Sequence, residues 1–350
     1  MYYVRIVRAL PEVFELSGLL CRTGEKAEKL AAEQNIITTT AVDEIISGQP
    51  EFVVVAVDKM HVAEVATQWL DRGYPVVAET PAAMDEDTLN RLWKYYLNGH
   101  KLIIAEQYLK YSENIARMKL IERNLIGSPE YLYLSLAHEY HGVSLMRAFL
   151  NIPCNMSFTV KAEEFSFPTM ETLSRYERFT DGRISDKKRV LATFRFEDGR
   201  VCLYDFGSEQ YRSPIRSNLY KLQGVRGEIV NDKVCWLDDN CKPYQAALSY
   251  QSREVEYDEK NPNLQCIEEI TEISCNDEIM YSPPFGLCGL SQDETAISQL
   301  LFQMGEYVKG KGKEPYPLRE ALQDAYMAIL LRKAISCGEM IRSDWKPEKP

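Results

Sequence analysis

Hydrophobic positions in the first hundred residues follow two alternating periods. Val13 to Leu20 is short and mostly apolar, the pattern of a strand, and Glu25 to Gln34 then places Ala27, Leu30 and Ala31 on one helical face. Asp43 to Ser47 reads as a helical turn. Phe52 to Val57 is an uninterrupted, valine-rich run, as expected of a strand buried on both faces of a parallel sheet. Val62 to Arg72 is amphipathic and closed by Gly73, a C-terminal cap. Pro75 to Ala78 is the next strand, Asp85-Glu86-Asp87 opens a helix with charges suited to its positive end, and Lys101 to Ala105 is a further strand. Short connections in this βαβα rhythm predict a Rossmann-like, doubly wound parallel sheet with helices on both faces.

From about Ser112 the pattern changes. A helix is predicted over Glu113–Asn124, a strand over Tyr131–Leu136 and a helix over Gly142–Leu150. Strands follow at Val190–Phe196 and Val201–Phe206, around the turn Glu197-Asp198-Gly199, and at Ile229–Trp236. Helices over Thr295–Val308 and Leu318–Cys337 close the chain, and Asn261 to Gln292 reads as loop-rich. This is the pattern of an α+β lobe with a largely antiparallel, open sheet. The reading divides the chain into a first lobe over residues 1–108, a second over 109–344 and a frayed tail over 345–350.

Composition narrows the possible roles. A chain of 350 residues, 45% hydrophobic and 27% charged, suits two globular domains. A net charge of -11 repels phosphate backbones and anionic membranes, so neither nucleic acid nor a membrane is an expected partner. No stretch approaches the roughly 20 apolar residues of a membrane span, and the first residues do not read as a secretion signal. Nine scattered cysteines without a C-x-x-C pair suit reduced thiols and a cytoplasmic location.

Three segments together carry a resemblance. Glu51 to Val57 has His61 just beyond it, Pro75 to Ala78 runs into Glu79-Thr80-Pro81, and Ile126-Gly127 precedes a strand followed by His141 at the head of a helix. In this order they resemble the glucose–fructose oxidoreductase, inositol dehydrogenase and rhizopine-catabolism family of oxidoreductases. The resemblance implies a dinucleotide-binding first lobe and a second lobe for substrate and oligomerisation. It implies NAD(P)-dependent oxidation or reduction of a hydroxyl or carbonyl on a sugar, polyol or related small molecule, by a homodimer or homotetramer.

Laid against that family, Tyr2 to Leu10 matches the helix that follows a first strand and a G-x-G-x-x-G turn. The first glycines are Gly18, Gly24 and Gly48, so the first strand and the phosphate-binding loop are expected to be missing from this sequence. The alternative is a catalytically silent binding or regulatory protein on the same scaffold.

The resemblance also nominates residues. Glu79 would lie beside the nicotinamide ribose and Gln107 near the carboxamide. Thr80 stands where the family usually has a lysine, and Lys110 is the candidate substitute. His141 would move the proton that balances a hydride, with His138 sharing the role since Ala137 stands where an aspartate is common. After Leu20 the chain offers Arg22 and Thr23 in place of an acidic residue, which favours NADP over NAD. His61 is a candidate lining of the cofactor groove. His138-Glu139-Tyr140-His141 lacks the H-E-x-x-H spacing, so no metal site is expected.

Overall fold

In the computed structural model, residues 2–174, 177–256 and 266–345 are described. The first lobe runs α1 (Tyr2–Ala9), β1 (Leu19–Leu20), α2 (Gly24–Gln34), β2 (Thr38–Thr39), α3 (Val42–Ser47), β3 (Val53–Val55), α4 (Val62–Leu70), β4 (Val76–Ala78), α5 (Glu86–Leu97) and β5 (Leu102–Ile104). Local chemistry sets several of these ends. Thr23 caps α2 by accepting the Lys26 N–H, and Asp85 caps α5 by accepting that of Thr88 at 2.7 Å.

All pairings in this lobe are parallel, but they form two sheets, β1-β2 and β3-β4-β5. Two expectations need correction. Val13 to Leu20 is a strand only at Leu19–Leu20, because Val13 and Phe14 extend the bonding of α1 to the Leu10 carbonyl and pack beside Ile6. Phe52 to Val57 narrows to Val53–Val55 and lies at the edge of its sheet. Val53 and Val54 are therefore half-buried, and Val57 is exposed.

The second lobe continues with α6 (Ser112–Glu122), β6 (Pro129–Ser135), α7 (Glu139–Leu150), β7 (Phe158–Met170), β8 (Ile184–Phe196), β9 (Val201–Gly207), β10 (Leu219–Gly224), β11 (Gly227–Val230), β12 (Lys233–Leu237), β13 (Pro243–Ala247), β14 (Ser249–Glu256), β15 (Cys266–Cys275), β16 (Glu278–Tyr281), α8 (Gln292–Val308), α9 (Leu318–Cys337) and β17 (Ile341–Arg342). Nine strands form one sheet in the order β13-β12-β11-β10-β6-β9-β8-β7-β17, antiparallel except between β6 and β9. On β9, Cys202, Tyr204 and Phe206 are buried while Val201, Leu203 and Asp205 are half-buried. One face of the sheet carries the core under α7 and α9 and the other is open.

Three further readings of this lobe change. Ile229–Trp236 is two strands, because Asn231 takes a left-handed conformation (φ 50°) and reverses the chain into β12. The stretch read as loop-rich contains β15 and β16, which pair with β14; residues 261–265 lie outside the described residues. Trp345 is not frayed. Its indole N–H donates to Asn90 Oδ1 at 3.0 Å and its ring packs on Trp93 and Tyr326, while 346–350 lie outside the described residues.

The last helices return to the first lobe. Leu300 and Met304 of α8 share a core with Ile6, Leu10, Val77 and Ile103, and α9 packs on α5 and β5. The two lobes are thereby joined behind the carboxyl ends of β4 and β5.

Candidate functional site

Three chain segments converge at those strand ends, the edge at which open parallel sheets take their ligands. Beyond β4, the Glu79 N–H donates to the Val55 carbonyl, and Thr80 follows, joined to Pro81 by a cis peptide. Beyond β5 come Glu106 and Gln107, then a 3-10 turn over Tyr108–Lys110. From the second lobe, the first turn of α7 brings in His138 and His141.

At the centre is a buried pair. Glu106 is 1% exposed and His141 5%, and His141 Nδ1 lies 2.7 Å from Glu106 Oε2. Glu106 Oε1 accepts the Tyr108 N–H at 3.0 Å, which fixes the carboxylate. A carboxylate only accepts, so toward Glu106 Nδ1 carries a hydrogen, and in the neutral form of the ring Nε2 keeps a lone pair. That nitrogen faces the Thr80 hydroxyl at 3.5 Å. The Tyr108 ring stacks on His141 with 4.3 Å between centroids.

A second chain of contacts runs outward. Tyr108 donates to the Tyr211 hydroxyl at 3.1 Å, which also accepts the His138 backbone N–H at 2.9 Å and lies 2.8 Å from His138 Nδ1. Loss of hydration around the ring, with His141 close by, lowers the pKa of His138 to about 4 although the residue keeps an exposed surface, so its ring is neutral near pH 7. Burial raises the Tyr108 phenol well above its usual range, with Tyr211 adding to the effect.

The turn that delivers the histidines is held in a constrained form. Glu139 adopts φ 30°, and the Tyr204 hydroxyl spans it by accepting the Glu139 N–H and donating to the Ala137 carbonyl. A Cβ on Gly142 would stand 2.6 Å from the Tyr204 ring, so only glycine fits there. Arg332 of α9 ties Glu139 to the Met84 carbonyl.

The structure thus gathers Thr80, His141 and His138, with Glu79 beside Thr80 and Gln107 beside Glu106. Glu79 Oε1 accepts the Tyr3 hydroxyl at 2.6 Å. Lys110 is not in this group: it lines a narrow pocket with Ser112, Glu269 and Gln292, where burial lowers its pKa. His61 is exposed at the start of α4, 3.9 Å from Asp58, and Arg22 and Thr23 sit at the start of α2. Among the described residues no group of three potential ligands gathers to hold a metal.

Two members were missed from sequence. Glu106 follows the apolar run Lys101–Ala105 as Glu79 follows Pro75–Ala78, and this parallel was a usable signal. Tyr211 arrives through the packing of a distant turn and leaves no local trace.

Residues 2–107 match the oxidoreductase family with an NAD-binding Rossmann fold, which bears out the resemblance drawn from the strand ends. No curated protein sequence matches the chain. Among solved structures, the fold is similar to an oxidoreductase from Agrobacterium radiobacter in complex with NAD+, L-tartaric acid and magnesium (TM-score 0.65, 11% identity, 97% of this chain and 95% of that one). It is similar to levoglucosan dehydrogenase in complex with NADH and levoglucosan (TM-score 0.64, 14% identity, 97% and 95%). It is likewise similar to an NAD-binding oxidoreductase from Klebsiella pneumoniae (TM-score 0.64, 13% identity, 99% and 95%).

Proposed function

We propose, from the family match over residues 2–107, that the chain is an NAD(P)-dependent oxidoreductase interconverting a hydroxyl and a carbonyl on a sugar, polyol or related small molecule. The observation that carries this reading is the buried Glu106–His141 pair, with Nε2 turned toward Thr80 at the carboxyl edge of a parallel sheet.

The nicotinamide end of a dinucleotide fits these residues. The Gln107 side-chain carbonyl oxygen is buried without a hydrogen-bond partner and would accept an amide N–H such as that of a carboxamide. Glu79, one carboxylate oxygen of which Tyr3 already engages, would accept from the adjacent ribose with the other. No glycine-rich turn for the pyrophosphate occurs among the described residues of the first lobe. Arg22 and Thr23, at the carboxyl end of β1, favour a 2′-phosphate and hence NADP. When bound, the nicotinamide would accept or supply the hydride.

The chain's own part is proton handling. His141 Nε2 takes the hydroxyl proton in the oxidative direction and returns it in the reductive one, and Glu106 stabilises the imidazolium that forms. Thr80, where a lysine is usual in the family, supplies a neutral hydroxyl to orient the substrate oxygen. His138, neutral and held by Tyr211, donates a hydrogen bond from Nε2. The open face of the nine-stranded sheet suits a symmetric homodimer or homotetramer, and nine free cysteines accord with a cytoplasmic location.

The test is turnover of a panel of sugars and polyols with NAD+ and NADP+, beside His141→Ala. Turnover that His141→Ala abolishes supports the assignment. Dinucleotide binding without turnover of any panel member would favour the silent scaffold, a reading consistent with Thr80 and with the hold of Tyr3 on Glu79.

A further inference from the structure

The β7–β8 hairpin outreaches its neighbour. β8 pairs with β9 only over 189–195, so residues 166–170 and 184–188 project past the end of β9. The chain leaving β9 forms a 3-10 turn over Ser208–Tyr211 beside this projection, pinned by Gln210, which accepts the Gly207 N–H and donates to Ser135. Between turn and hairpin lies a cavity of about 240 Å³. That is far more than the roughly 10–15 Å³ that admits one water.

Its lining is polar and uncommitted. The hydroxyl oxygens of Thr169, Thr172 and Ser213 and both carboxylate oxygens of Glu209 are buried without a hydrogen-bond partner. Thr169 is 4% exposed and Glu209 8%. The nearest cation to Glu209 is Arg189 at 3.7 Å, which already donates to Asp205. The carboxylate has its own berth, for a Cβ on Gly207 would stand 2.3 Å from Oε2. Water can reach and satisfy these acceptors in a space of this size, and a ligand that donates to several of them at once takes its place.

We propose that this cavity binds a neutral, polyhydroxylated small molecule, separately from the Glu106–His141 site. Two adjacent ligand hydroxyls donate to the two Glu209 oxygens, Thr169, Thr172 and Ser213 exchange hydrogen bonds with others, and Arg212 donates to a ligand oxygen. The charges of the lining argue for neutrality: Lys187 is paired with Glu171, and Glu209 and Arg212 add one charge of each sign, so the lining sums to zero. A cation or an anion would upset that balance; a diol satisfies the carboxylate without adding charge. The same turn carries Tyr211, whose hydroxyl holds His138, so a bound molecule braces that contact.

The experiment is ligand-observed NMR on the full chain with sorbitol and myo-inositol, without dinucleotide. Binding is expected in the wild type and in His141→Ala, and to be weaker by roughly tenfold or more in Thr169→Val and Glu209→Gln, which lose a hydroxyl and a carboxylate at nearly constant shape. Glu209→Leu is expected to fold, to melt no lower than wild type and to lose binding. Saturation should also shift the His138 ring resonances. No binding at tens of millimolar, or binding lost in His141→Ala and kept in Thr169→Val, overturns the proposal.

Discussion

His141 works through the nitrogen that Glu106 does not hold. Replacing His141 by alanine removes the proton acceptor and is expected to lower kcat by about 10²- to 10⁴-fold. Glu106→Gln leaves the ring in place without its counter-charge, so the loss should be pH-dependent, deepest where the reaction needs the imidazolium. A flat pH profile for Glu106→Gln would show the carboxylate to be a spacer. His138 behaves differently. Its folded pKa of about 4 lies below the ordinary value near 6.5, so the unfolded chain binds the proton more readily. Its contribution to stability is present above about pH 6.5 and declines as pH falls toward 4, moderated by the ring's partial exposure to solvent. NMR titration of the imidazole should give a midpoint below 6.5; one at or above it would contradict the assignment. Gly142→Ala should destabilise by about 1–3 kcal/mol through the Tyr204 ring, read from urea unfolding. The histidines were legible as a local motif, but Glu106 was passed over for its neighbour Gln107. A single carboxylate after a strand does not announce whether it is buried.

At the scale of elements, α7 carries the histidines at one end and a buried ion pair at the other. Arg147 donates to Asp324 at 2.7 Å and to Glu320 at 2.5 Å, and Asp324 is fully buried on α9. Burial raises the Asp324 pKa to about 6 while Arg147 opposes the rise. The folded chain therefore binds this proton more tightly than the unfolded chain, whose value is near 3.9. Stability from Asp324 is fully present below about pH 4 and is lost as pH rises through 6. Arg147→Met leaves the charge uncompensated and should cost about 3–5 kcal/mol at neutral pH. The deficit should narrow toward pH 4, as Asp324 takes up its proton. A deficit independent of pH would mean that packing, not charge, holds the helices together. Helices such as α5 and α9 were readable from apolar periodicity and caps. Of the β7–β8 hairpin only Val190–Phe196 was read as strand, and β7 was missed, because charged residues such as Glu163 and Glu164 on β7 and Lys187 and Lys188 on β8 hide the alternation.

At the scale of the whole molecule, the order of elements was legible and the return of α8 was not. Its apolar face matches any core, and nothing local says that it belongs with Ile6 and Val77. The parallel sheet expected as one piece is two, since no strand among the described residues pairs β1 with β3. In front of the joint made by α8 and α9, Thr80 and Glu106 of the first lobe meet His141 of the second, and a nicotinamide ring held there is the central claim. Thermal unfolding with NADPH and with NADH tests this most directly, because a ligand that binds only the folded chain raises its stability, by about 2.7 kcal/mol at a hundred times its Kd. A rise in Tm is predicted for the wild type and His141→Ala, larger with NADPH and reduced in Gln107→Ala. A Tm unmoved by either dinucleotide at saturating concentrations would contradict the account.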